Sequence, residues 1–284
     1  MLKKFYLLFA LFCFGYTFGY KTRDFARTFI IFPLLDILTP NTLIKVNELS
    51  YKLPKEVECP TSSLQIAYFG QSNSANTVKP KAELTIPENI FQYDWQSKKC
   101  YRYKEPLIGT DENLGNVITY TALEIASRIN KPVLVIPFGK SSSSVSEWAY
   151  SNLFFHQSLV FENIKAANLY PDVFLWHQGE SDVSTSKTDY MKALEVVVDR
   201  TLENFPNTYF GIALATRCQS LEWLPVREAQ QAIISSNKKT FLSADSDKIY
   251  DPSLRYDSCH FSAKGAERLG DEYAETIIKA LRLN

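Results

Sequence analysis

The chain has 284 residues, with 31 Lys+Arg set against 31 Asp+Glu for a formal net charge of zero. That balance gives no footing to an electrostatic partner such as nucleic acid. With 45% hydrophobic and 22% charged residues the chain is not disordered throughout, and long apolar runs confined to the N-terminus exclude a polytopic membrane protein.

Lys3 and Lys4 precede an apolar run, Phe5 to Tyr20, the layout of a positive n-region and an apolar h-region. As a helix the run rises about 24 Å, short of the roughly 30 Å of a hydrocarbon core. It ends Thr17-Phe18-Gly19-Tyr20, without a small-residue cleavage pattern, so a signal anchor and a cleaved signal peptide both stand. Either implies an exported domain, in the periplasm, at the cell surface or in a secretory lumen: an anchor would keep the membrane as a partner through this segment, and cleavage would leave the domain secreted. Basic residues flank the run on both sides, so charge does not orient it. A second apolar stretch, Phe29 to Leu38, is broken by Pro33 and Asp36. The expected organisation is an anchor or signal with its juxtamembrane segment over 1–38, a proline-punctuated linker over 39–60 and one domain over 61–284.

Within that domain, apolar strands alternate with helical segments. Leu64–Phe69 is the first expected strand, followed by a loop over 77–110 rich in Pro, Lys and polar residues. A helix is expected over Leu114–Ile129, stopped by Asn130-Lys131-Pro132. Next come a strand over Val133–Phe138, a serine run at 141–144, a helix over Trp148–Asn168 and a strand over Val173–Trp176. A helix over Thr188–Asn204, a strand over Tyr209–Ala215, a helix over Leu224–Ser236, a short strand over Thr240–Ser243 and a helix over Ala263–Leu281 complete the chain. Strand–helix alternation with uninterrupted apolar strands predicts an α/β fold, a five-stranded, mostly parallel sheet buried on both faces. In such sheets the site lies beyond the carboxyl ends of the strands.

Polar, chemically capable residues stand just there. Gly70-Gln71-Ser72-Asn73 follows the first strand, Gly139 and the serine run follow the second, and His177-Gln178-Gly179-Glu180-Ser181-Asp182 follows the third. Asp257-Ser258-Cys259-His260-Phe261 precedes the last helix. A serine nucleophile needs a base and donors for the oxyanion it creates. Of the three histidines, His156 reads as structural in mid-helix and His177 as support for the Gln178 loop. His260 follows Asp257 by three residues, a spacing at which the carboxylate can set the imidazole tautomer. No G-x-S-x-G elbow, glycine-rich phosphate loop or zinc-spaced Cys/His cluster occurs, so neither a metal nor an organic cofactor is implied. Cys59, Cys100, Cys218 and Cys259 admit three pairings. Their positions favour Cys218 with Cys259 at the site's rim, leaving Cys59 with Cys100.

Gly-Gln-Ser-Asn, Trp-His-Gln-Gly-Glu-Ser-Asp and Asp-x-x-His-Phe, in this order, resemble the SGNH hydrolases, specifically their sialate O-acetylesterase and acetylxylan esterase branch, carbohydrate esterase family six. The resemblance covers about residues 64–281. It implies a flavodoxin-like three-layer α/β/α fold and an acetylated carbohydrate as substrate. It implies Ser72 as nucleophile, His260 as general base, and Asp257 or Glu180 as the orienting acid. Ser72 N–H and Gln178 would hold the oxyanion. The family's second block carries two glycines, whereas here one alignment puts Ser141 and Ser142 there and another puts Gly139; Gly139 is preferred, because glycine adopts the donor conformation at little cost. Two alternatives share this frame: a glycan O-acetyltransferase using the same acyl-enzyme, and a catalytically inactive glycan-binding module.

Overall fold

The computed structural model describes residues 53–81, 83–219 and 222–283. The N-terminal apolar runs and most of the expected linker lie outside these residues. No helix among the described residues is long and apolar enough to cross a membrane.

Eight strands form one sheet: β1 (Glu56–Val57), β2 (Leu64–Gly70), β3 (Ile90–Asp94), β4 (Lys99–Arg102), β5 (Val133–Pro137), β6 (Val173–His177), β7 (Tyr209–Leu214) and β8 (Thr240–Asp245), in the order β1-β4-β3-β5-β2-β6-β7-β8. The pairs from β3 through β8 are parallel, while β4 runs antiparallel to β3 and β1. Five strands were expected. The additional ones are a hairpin within the expected 77–110 loop and a two-residue edge strand within the expected linker. Each of these is short, and β1 and β4 are rich in charged residues, whereas β3, Ile-Phe-Gln-Tyr-Asp, carries three β-formers inside a polar stretch. The two outer strands exist through pairing and through the Cys59–Cys100 disulfide.

Helices α1 (Val117–Arg128) and α6 (Ala263–Leu281) cover one face of the sheet, packed on each other. On the other lie α2 (Val145–Tyr150), α3 (Asn152–Ala166), α4 (Lys187–Asn204) and α5 (Leu224–Ser236). The period-two alternation of β2 feeds both layers. Ile66 and Tyr68 enter the aliphatic core with Ile118, Ile125, Leu269 and Tyr273. Phe69 points the other way, stacking on Phe138 at 4.6 Å and meeting Trp176 and Trp148 edge-on at 5.0 and 5.4 Å. The helix expected over Trp148–Asn168 is two, because Ser151 leaves helical geometry (φ −125°, ψ −148°). The first begins earlier than expected, at a Ser144–Glu147 capping box.

Chain order sets the location of the site. From β2 the chain moves outward to β3 and β5, then crosses back over β2 to β6, β7 and β8. The direction of winding reverses at β2, and its carboxyl end is the switch point.

Candidate active site

At the end of β2, Gly70 adopts φ +131°, and a Cβ there would lie 2.1 Å from the carbonyl oxygen of His177. Only glycine permits so close an approach to β6. The chain then tightens into a 3-10 turn, Ser72–Ser74, held by Ser74 N–H on Gln71 O at 2.8 Å and Ala75 N–H on Ser72 O at 2.9 Å. The Gln71 side-chain oxygen accepts from Gly179 N–H (3.1 Å) and Ser181 N–H (2.9 Å), tying this turn to the segment after β6.

A second turn brings in His260. Tyr256 N–H donates to His260 O at 3.0 Å, and Ser258 takes φ +66°. Asp257 builds this turn with one oxygen: its Oδ1 accepts from Cys259 N–H (3.0 Å) and His260 N–H (2.7 Å), an Asx-turn. Its Oδ2 lies 2.7 Å from His260 Nδ1. A carboxylate only accepts, so Nδ1 carries the proton and Nε2 is left basic. Nε2 stands 2.9 Å from Ser72 Oγ. Burial opposes the ionisation of Asp257, but the donors from His260 and Cys259 outweigh it and hold the carboxyl below its usual range. The Tyr256 ring lies along the imidazole, with centroids 6.0 Å apart and planes at 24°. The second disulfide joins Cys218 to Cys259, the residue before His260.

The second block reaches the site through Gly139. A Cβ there would lie 2.4 Å from Ser74 Oγ and 2.9 Å from the Ser74 carbonyl carbon and oxygen. The Gly139 carbonyl accepts from Thr110 Oγ1 (2.9 Å) and Asp111 N–H (3.3 Å). Among the described residues no group accepts from the backbone N–H of Ser72 or Gly139. Ser141 N–H, the alternative, is occupied by Asp111 Oδ2 at 3.0 Å. Thr110 and Asp111 were not singled out by sequence. Nothing local marks them, since they act on a segment about thirty residues away.

Two of the expected site residues make other contacts. The Gln178 amide is fully buried and donates to Asp182 Oδ2, Ser143 O (3.1 Å) and Gln71 Oε1 (3.2 Å), while its oxygen accepts from Tyr190 at 2.9 Å. With two hydrogens already directed to these acceptors, it braces the loop and leaves no donor for an oxyanion. Glu180 does not touch His260. Its Oε1 accepts from Asn73 Nδ2 (2.8 Å) and pairs with His177 Nε2 (3.0 Å). Of the two candidate acids, Asp257 is the one within hydrogen-bonding distance of the His260 ring. His177 turns its Nδ1 to Tyr273 OH at 2.7 Å. His156 packs against Trp95 and Trp148, and burial pushes its pKa down to about 4. Asp182 caps α2 by accepting from Val145 N–H at 3.0 Å.

Residues 66–279 match the family described as carbohydrate esterase, sialic acid-specific acetylesterase. No curated protein matches the sequence. Among solved structures, a protein from Arabidopsis thaliana superposes with a TM-score of 0.62 at 18% identity, covering 76% of this chain and 98% of that one. A carbohydrate acetylesterase from Xanthomonas citri gives 0.55 at 11% identity, covering 78% and 57%. A family two carbohydrate esterase from Clostridium thermocellum, solved with cellohexaose, gives 0.50 at 14%, covering 82% and 67%. At these identities the likeness is one of fold, whereas the family match spans most of the chain. The chain belongs to the carbohydrate esterase, sialic acid-specific acetylesterase family and is a carboxylic ester hydrolase acting on acetylated carbohydrate.

Proposed function

We propose that the protein is a serine esterase that removes O-acetyl groups from a carbohydrate through an acyl-enzyme on Ser72. The observation that carries the reading is the continuous relay from Ser72 Oγ to His260 Nε2 at 2.9 Å and from His260 Nδ1 to Asp257 Oδ2 at 2.7 Å. Ser72 Oγ attacks the acetyl carbonyl carbon while its proton passes to His260 Nε2. The oxyanion is held by the backbone N–H groups of Ser72 and Gly139. The ionised Asp257 stabilises the imidazolium that forms. Collapse breaks the bond to the sugar oxygen, which takes the proton from Nε2 and leaves as the free hydroxyl. Water, deprotonated by the same nitrogen, then attacks acetyl-Ser72. The second collapse returns the proton to Ser72 Oγ and releases acetate.

The two disulfides support a working place in an oxidising compartment, in keeping with export by the N-terminal segment. The test is hydrolysis of 4-nitrophenyl acetate by the purified full chain and by Ser72→Ala, with acetate release from an acetylated glycan measured beside it. The expected result is turnover in the parent and loss of about 10⁴-fold or more in the variant. Retained turnover in a folded Ser72→Ala protein would remove Ser72 as the nucleophile. Acetyl groups appearing on an added acceptor glycan in place of free acetate would redirect the reading to transfer.

A further inference from the structure

The most heavily invested polar group near the site is one the mechanism does not use. Glu180 is 5% exposed, and its carboxylate is buried behind the nucleophile turn. Burial opposes its ionisation, yet the His177 and Asn73 donors outweigh that and hold its pKa below the ordinary carboxylate range. An ionised carboxylate in such a place is costly unless its partners are well placed. Those two donors come from the turn after β2 and the end of β6.

Asn73, the residue after Ser72, gives its side-chain N–H to Glu180 Oε1 at 2.8 Å. The same nitrogen reaches the carbonyl oxygen of Cys259, the residue before His260, at 3.3 Å. The Asn73 main-chain oxygen accepts from Tyr68 OH at 2.9 Å. His177, at the end of β6, gives Nε2–H to Glu180 at 3.0 Å and is itself fixed by Tyr273 of α6. Arg255, 3% exposed and stacked on Phe261 at 4.1 Å, lends positive charge to the same region and also donates to Cys259 O. The carbonyl next to the base is thus gripped by Arg255 and by the amide that Glu180 holds.

We propose that Glu180 is a positioning residue that acts through Asn73, fixing the Ser72 turn and the His260 loop at one spacing, and that it takes no share in orienting the imidazole. The proposal rests on the reading of Ser72 as nucleophile and His260 as base. It assigns the two candidate acids to different tasks: Asp257 sets the tautomer of the base, and Glu180 sets the distance across which the proton moves. A displacement of about 1 Å at such a distance costs on the order of 10²-fold in rate.

The test is a double-mutant cycle in the full chain on an aryl acetate, with Glu180→Gln, Asn73→Ala and the double variant. A parallel NMR titration follows the His260 imidazole. Asn73→Ala is expected to lower kcat by about 10²-fold with KM within about twofold, since the substrate's own contacts are untouched. Glu180→Gln keeps an acceptor and is expected to lower kcat by about tenfold. The double variant should be no slower than Asn73→Ala, because residues acting as a unit are not additive. The imidazole titration should stay in place in Glu180→Gln and move to lower pH in Asp257→Asn. Multiplying losses in the cycle, or a titration in Glu180→Gln displaced as in Asp257→Asn, would overturn the proposal. The titration needs no turnover, so it judges Glu180 even if Ser72→Ala shows the esterase reading to be wrong. Should Asn73→Ala fail to fold, Asn73→Asp replaces it: an anion facing Glu180 is expected to lower kcat at least as far, and unchanged kcat would overturn the proposal.

Discussion

Gly139→Ala is the perturbation that bears most directly on the oxyanion site. The new methyl group would lie 2.4 Å from Ser74 Oγ and 2.9 Å from the Ser74 carbonyl carbon and oxygen. Ser74 is fully buried and its hydroxyl is committed to Gln71 O at 2.7 Å, so the serine cannot simply swing away. Relief must come from Gly139 itself, by roughly half an ångström at the backbone contact if ordinary van der Waals distance is to be restored. The Gly139 carbonyl is held by Thr110 and Asp111, so that movement tilts the peptide and turns its N–H off the oxyanion. Removing one such donor costs about 10²–10³ in kcat, or about 2.7–4 kcal/mol of transition-state stabilisation. Overpacking adds a stability loss of about 1–3 kcal/mol. The assay is kcat and KM on 4-nitrophenyl acetate with a thermal melt of the same sample. Ser141→Ala is the control, because the Ser141 N–H serves Asp111 and its substitution leaves the donor in place. A folded Gly139→Ala enzyme with kcat within threefold of the parent would refute the reasoning.

Asp257→Asn should lower kcat by about 10⁴-fold, the loss expected when the orienting acid can no longer impose its tautomer, and single-turnover acylation would measure it. Because the Asp257 pKa is depressed in the folded protein, its contribution to stability is complete above the unfolded value of about 3.9 and is lost as pH falls through the folded one. Acid unfolding of the parent and of Asp257→Asn at matched pH values checks this: a stability difference between them that does not shrink as pH falls through the acid range would contradict it. Removing Cys59–Cys100 by paired serines should cost about 4 kcal/mol by chain entropy for its 41-residue separation, read by urea denaturation, with kcat at 25 °C unchanged. Removing Cys218–Cys259, of equal separation, should cost a similar amount and also lower kcat, since it frees the residue beside the base; equal kcat in the two variants would separate the disulfide from catalysis.

Much of the parallel core is legible in the sequence because each central strand is a short apolar run buried on both faces. The bounds of α5 and α6 follow from local signals, a Pro in the first turn of one and the Ser262 cap of the other. The three chemical motifs stand out because polar residues directly after buried strands have no packing role to explain them. The β3–β4 hairpin is not legible in the same way: Lys98 must take φ +59° at its turn, and its strands gain their stability from β5 and from a disulfide partner 41 residues away. The destination of the Gln178 amide is equally remote, since Gln71 lies 107 positions away. Motif membership placed Gln178 and Glu180 near the site, but their work depends on which neighbours reach them first. Asn73 stands within the first motif, yet its role as a hub emerges only when Cys259, 186 positions on, folds against it.

The wide separation of nucleophile and base, 188 residues along the chain, also bears on biogenesis. A chain emerging from the ribosome carries Ser72 early and His260 almost last, so no amount of early sheet formation yields a working relay. The loop bearing His260 leads straight into α6, which closes against α1 so tightly that a Cβ at Gly270 would fall 2.5 Å from that of Tyr120. Ester turnover is therefore a readout of completed folding. Appearance of activity during refolding should lag recovery of sheet and helix signal and coincide with docking of the C-terminal helix.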